Sequence, residues 1–374
     1  MIGVQFSRKE MASQMRKIAG MMLSKNFGAW FHGWSYSMAG PKGVRFFSDT
    51  AIMDELKNLR KNGELAPVKE PVAGNRIALL VSEHSAWHMD LMSPANTVHA
   101  MLLYKNLHKF LRTGAGCDIM ALEDLPQLIK TGRYKDYKFI AFYNAFHLNA
   151  ELRKIINQDL KRDGRTLLFF YAAGAHDDDF NANKGSSVST AGIADLLGVK
   201  NVSILKKEHL LGAEWYNGAV SDCNIWWDKG QKATFKDEIG PVFWLTPEAN
   251  VEKLASLRID GKTCNDKIGA ARIKGKDHTV VYVAVPDIPG TVLNKLVRDS
   301  GTFIAAEGDV TVSCGNGFLT VCNTGNDREI TVRSAYKADW YELPANKKVV
   351  TGGTEYKAKF DKWGTRLFRL VPVK

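Results

Sequence analysis

No apolar run in this chain approaches the ~18 residues that a membrane-spanning helix needs, so no membrane partner is expected. The first residues, "MIGVQFSRKEMASQMRK", lack the apolar stretch of a secretion signal and turn charged by Arg8. They leave the compartment undetermined, since a signal could lie on a preceding segment. Cysteine is sparse: Cys117, Cys223, Cys264, Cys314 and Cys322 are scattered, and no pair has the spacing of a metal knuckle. Cys314 and Cys322 could face each other across a hairpin, or be two buried thiols. No glycine occurs between Asn75 and Gly114, so no G-x-G-x-x-G follows the first apolar strand. Dinucleotide binding has no support, and no cofactor or metal is expected.

The charge is +11, unevenly spread. Residues 1–62 hold 10 Lys/Arg and 4 Asp/Glu; residues 309–374 hold 11 and 7. The long middle part is close to neutral. A nucleic-acid-binding domain concentrates basic residues on one face or element. The middle part does not, so no nucleic-acid partner is expected.

What is present begins with a helix. Ser7 and Glu10 form an S-x-x-E capping box, and Met11, Met15, Ile18, Ala19 and Met22 recur at helical spacing. "FGAWFHGWSYS" follows, with five aromatic rings in eleven residues. It reads as a strand with Trp30, His32 and Trp34 on one side. A loop and a second helix, "SDTAIMDELKNLRKNG", complete residues 1–62. Helix, strand and helix cannot bury both faces of one strand, so this segment reads as a piece of something larger.

From Asn75 the pattern becomes alternating strands and helices. "RIALLVS", "CDIMA", "KFIAFYNAF" and "RTLLFFYAAG" read as strands, and the segments between them as helices. The fold class is α/β, a doubly wound parallel sheet. Residues 200–275 give no clear pattern. "HTVVYVAV" is again a strand, "PGTVLNKLVRDSG" a helix, and "TFIAAEG" is expected as the last strand of the layer. From Asp309 only short alternating strands follow, with "NTGND" as a hairpin signal, and a small C-terminal β-sandwich is expected. The boundaries fall at 1–62, 63–308 and 309–374.

In a doubly wound sheet, ligands sit beyond the carboxyl ends of the strands. Two polar loops are expected there. "SEHSAWHMD" carries His84 and His88, four residues apart, next to Glu83 and around Trp87. "AGAHDDDF" carries His176, Asp177, Asp178 and Asp179. Neither has a metal-loop spacing, so both read as crevice or interface residues. The turn after the fourth strand, Tyr171-Ala172-Ala173-Gly174-Ala175, holds no Ser or Cys where a nucleophile elbow would place one. No catalytic residue is assigned.

The order of parts resembles the C-terminal portion of beta-galactosidase-like glycoside hydrolases of family 42. "GAWFHGWSYSMAG" and "MDELKNLRKNG" match the end of a (β/α)₈ barrel. "RIALLVSEHSAW", "FLRTGAGCDIMALEDL", "YKDYKFIAFYNAFHL" and "LKRDGRTLLFFYAAGAHDDD" match a class I glutamine-amidotransferase-like, flavodoxin-like trimerisation domain. "VYVAVPDIPGTVLNKLVRDSGTFIAAEGDVTVSCGNGFLTV" matches the end of that domain and the start of the β-domain. The resemblance implies that residues 1–62 are a barrel remnant and that "FGAWFHGWSYS" is the barrel's eighth strand. Trp30 and Trp34, with His32, would then face a sugar. It also implies a homotrimer, and Trp87, an aromatic flanked by polar groups, is expected as an interface anchor. Retaining hydrolysis needs two carboxylates flanking one bond, and no such pair is found here. The chain is expected to lack the family's catalytic glutamates. The alternative is a stand-alone, non-catalytic oligomerisation or carbohydrate-binding protein on the same folds.

Overall fold

The computed structural model describes residues 7–27, 50–65, 74–87, 97–176, 188–223 and 238–373. Its contacts divide the chain into two units. One comprises Met1–Asn75, Leu111–Cys117 and Phe303–Lys374; the other Arg76–Phe110 and Asp118–Thr302.

The chain opens with α1 (Arg8–Lys25). Its capping box forms as the spacing predicts: the Glu10 N–H reaches the Ser7 hydroxyl, and the Ser7 N–H donates to the Glu10 carboxylate at 2.7 Å. Asn26 closes the helix in the left-handed region. Helix α2 (Thr50–Gly63) pairs with it through an Arg16–Glu55 ion pair in which Glu55 is buried.

The larger unit follows. Its first half holds β1 (Arg76–Val81), β2 (Cys117–Ala121), β3 (Tyr137–Phe142) and β4 (Arg165–Phe170), with β1, β3 and β4 parallel. The strand order is β2-β1-β3-β4. Leu79, Phe139, Ile140, Leu167 and Phe169 are fully buried, as continuous apolar runs require of a sheet covered on both faces. Each such side chain contributes roughly 1.5–3 kcal/mol by leaving water. Between these strands lie α3 (Glu83–Trp87), then α4 (Thr97–Ala100), a π-helical turn (Met101–Asn106) and α5 (Leu107–Leu111). Helices α6 (Leu125–Lys130), α7 (Ala150–Ile155) and α8 (Thr190–Leu197) come after.

Residues 200–275, unreadable in sequence, extend the same sheet. They form β5 (Val202–Leu205), β6 (His209–Trp215), β7 (Val220–Asp222), β8 (Glu238–Ile239), β9 (Val242–Leu245), β10 (Val251–Ile259) and β11 (Lys262–Lys274). Strand β12 (His278–Val283) pairs parallel with β4 and antiparallel with β11. The order continues β12-β11-β10-β6-β7, antiparallel throughout. The sheet is therefore mixed, where a purely parallel one was expected. Helix α9 (Gly290–Asp299) follows β12. "TFIAAEG" is not a strand of this layer. Ile304 and Ala306 make only single bridges, to Ala115 and Val332, within the smaller unit.

The smaller unit is closed by β13 (Val310–Gly315), β14 (Phe318–Asn323), β15 (Arg328–Leu343), β16 (Lys347–Phe360) and β17 (Thr365–Pro372). They make one antiparallel sheet, β13-β14-β17-β15-β16, and not the two stacked sheets of a sandwich. The difference lies in β15 and β16, which run 16 and 14 residues with register shifts between Arg333 and Tyr341. In sequence that irregularity reads as breaks between short strands. One face holds Val312, Leu319, Val332, Trp340 and Phe368. The other face of β14 is covered by α1. Ser24 Oγ lies 2.7 Å from Ser313 Oγ, the Asn316 amide donates to Ser24 O at 3.2 Å, and Phe318, Leu343 and Leu367 pack with Leu23 and Leu65. Cys314 and Cys322 are buried and form no disulfide with each other; their register partners are Leu319 and Thr311, so they do not face each other.

Candidate functional site: the carboxyl edge of the parallel strands

Strands β1, β3, β4 and β12 run parallel, so the segments after them emerge on one edge. Those segments start at Ser82, Tyr143, Tyr171 and Ala284.

Ser82 and Asn144 lock the first two together. The Ser82 N–H donates to Asn144 Oδ1 at 2.7 Å, and the Asn144 amide donates to Ser82 O at 2.9 Å. Asn144 is fully buried, so this reciprocal pair meets its polar needs inside the protein. The Ser82 hydroxyl donates to Glu123 Oε1 at 2.8 Å, and the His84 N–H reaches the same oxygen at 3.2 Å. Burial alone would raise the Glu123 carboxyl. Hydrogen bonds from Ser82 and from the backbone N–H groups of Glu123, His84 and Glu83 outweigh it and hold Glu123 below its ordinary value.

The histidines gather here. His84 is exposed on α3. The His147 ring lies 6.0 Å from it, centroid to centroid. The His147 N–H is held by Ser85 Oγ at 2.9 Å, and His147 bridges in parallel to His176. Arg153 fastens the turn behind them. Its guanidinium donates to Leu148 O at 3.1 Å, Gly174 O at 2.6 Å and Gly192 O at 3.0 Å. The turn and α8 approach so closely that a Cβ on Gly192 would sit 2.5 Å from Gly174 O. Among the described residues, no three His, Cys, Asp or Glu side chains group as a metal-ligand set.

Tyr171 takes the elbow position after β4 with φ +53, a conformation that a bulky residue rarely adopts. Its phenol donates to Pro241 O at 2.6 Å, and its carbonyl accepts from the buried Tyr282 hydroxyl at 2.7 Å. Burial drives the phenol far above its ordinary value, so it is a neutral donor and not an ionised nucleophile. Beyond β12, buried Asp287 is neutralised by Lys109 and, at 3.4 Å, by Lys105. Burial, with Asp287 beside it, pushes the nearby Cys223 thiol well above its ordinary value. A thiol so placed is a poor nucleophile.

Of the residues singled out in sequence, His84 and His176 both reach this edge. Trp87 ends α3. His88, Asp177, Asp178 and Asp179 lie outside the described residues, as do Trp30, His32 and Trp34. Sequence reasoning missed His147, Asn144, Glu123 and Arg153. Asn144 and His147 had a signal, since both follow the apolar run of β3 and must emerge beside the loop after β1.

No protein-family model and no curated protein sequence matches the chain. Solved structures do. The fold is shared with beta-galactosidases. The enzyme from Bacillus circulans sp. alkalophilus superposes with a TM-score of 0.56 at 16% identity, over 88% of this chain and 45% of its own. A catalytic mutant of Gan42B, a GH42 beta-galactosidase from G. stearothermophilus, gives 0.56 at 12%, over 86% and 44%. The beta-galactosidase from Rahnella sp. R3 gives 0.53 at 14%, over 99% of this chain and 59% of its own. The chain thus spans less than half the length of the first two. At these identities the likeness is one of fold.

Proposed function

We propose that this chain corresponds to the C-terminal portion of a glycoside hydrolase of the family 42 kind, and that it supplies assembly and a β-domain and not the hydrolytic centre. The observation that carries this reading is the asymmetry of the structural likeness, nearly all of this chain against under half of the first neighbour. In this reading α1 and α2 are the end of a barrel, and Trp30, Trp34 and His32 belong to its sugar-facing rim. The larger unit is amidotransferase-like. Tyr171 at φ +53 supports that, because it keeps the strained elbow while its phenol is tied to Pro241 O. The crevice residues His84, Trp87, His88, His176, Asp177 and Asp178 then serve contact with a neighbouring subunit of a homotrimer. Leu210 on β6, Val220 on β7 and Tyr216 in the turn between them are exposed and offer further apolar surface for assembly.

The purified chain is expected to show no hydrolysis of nitrophenyl β-galactoside above a buffer blank. Turnover that persists through a second purification, at constant specific activity, would overturn the reading.

A further inference from the structure

The smaller unit carries a cleft of about 850 Å³ between the first two turns of α1 and the turn that joins β16 to β17. Cavities of this size hold small molecules of one or two rings. Trp363 lines it, half-buried, at φ +61. That conformation is strained for a bulky residue, and such strain gathers at ligand clamps. Here it is held from outside the turn: Ser13 Oγ donates to Trp363 O at 2.6 Å. Within the turn, the Gly364 N–H donates to Asp361 O at 2.9 Å.

The walls are densely polar yet nearly balanced in charge. Five cationic and four carboxylate side chains line the cleft. Several are already paired: Lys9 with Asp361, Arg366 with Glu342, and Arg16 with Glu55, a residue on α2 outside the lining. A charged ligand gains little from such a field and must disrupt ion pairs to enter. A neutral polyol gains more. Carboxylate oxygens accept its hydroxyls, ammonium and guanidinium groups donate to them, and the indole offers a flat apolar face to the C–H side of a sugar ring.

We infer that this cleft binds a neutral saccharide of one or two rings, with Trp363 as its stacking platform and Lys9 and Asp361 as hydroxyl partners. The inference does not rest on the assembly reading. A chain that is monomeric, or that hydrolyses nothing, can still bind sugar here.

The test uses the full chain. D-Galactose, D-glucose, lactose and cellobiose are titrated while the Trp363 indole N–H is followed by NMR, its signal assigned from Trp363→Phe. At least one of the four is expected to shift that signal saturably. Trp363→Ala is expected to weaken binding about tenfold, followed by ligand-observed NMR. Lys9→Ala, an exposed change that leaves the core untouched, is expected to weaken it roughly threefold. Galacturonate is expected to bind no better than galactose. No saturable shift with any of the four sugars overturns the inference. Unchanged affinity in both variants overturns the assignment to this cleft, and tighter binding of galacturonate overturns neutrality.

Discussion

Tyr171 shows what a single position can disclose. As a letter it only reports that no Ser or Cys follows β4. As a structure, at φ +53 and with its phenol on Pro241 O, it is a strained turn residue serving as a buried hydrogen-bond donor. Tyr171→Phe leaves that carbonyl without its partner. It is expected to cost about 1–3 kcal/mol in urea unfolding, with no change in slope. Unchanged stability would show that the bond contributes nothing. Glu123 gives a second prediction, in pH. Its folded value lies below its ordinary 4.5, so it stabilises the fold above 4.5, and this is lost as pH falls from there through the folded value. Glu123→Gln is expected to flatten the stability profile below 4.5, because the amide does not titrate. An unaltered acid limb would contradict the hydrogen-bond geometry around Ser82. The sequence pointed to His84 and His176 because polar loops after apolar strands are visible in one dimension. Glu123 and Arg153 were not visible, because their roles come from carbonyls and amides brought together only by the fold.

Elements differ in the same way. Helix α1 was readable to its cap, since S-x-x-E and a 3.6-residue apolar period are local. Its partner was not, because β13 and β14 come some 290 residues later. Gly20 makes the consequence testable. By helix propensity, Gly→Ala in a helix interior should stabilise by roughly 0.5–1 kcal/mol. Yet a Cβ on Gly20 would sit 1.9 Å from Thr320 Oγ1, and Thr320 is buried on β14. Gly20→Ala is therefore expected to lower the melting temperature of the smaller unit. A rise would mean that α1 does not dock on β14. Strands β10 and β11 escaped detection for another reason. "VEKLASLRI" and "KTCNDKIGAARIK" mix charge with apolar residues, because burial is confined to an interior stretch of each, residues 254–257 in one and chiefly residues 268–271 in the other. Antiparallel strands in that position carry no continuous apolar run. The parallel strands β1, β3, β4 and β12 do, and these were legible.

At the scale of the molecule, two units share one chain, and the smaller gathers sequence from both ends around its sheet. We propose that the chain as a whole assembles as a homotrimer. Trp87→Ala is expected to shift the particle toward smaller species at equal concentration, since aromatic anchors dominate interface energies. An unchanged distribution would remove Trp87 from the interface and leave the assembly claim standing. Light scattering coupled to size exclusion, at tens of micromolar, tests the claim itself. The expected particle mass is three times the 41.6 kDa of one chain. A single species at 41.6 kDa would contradict it.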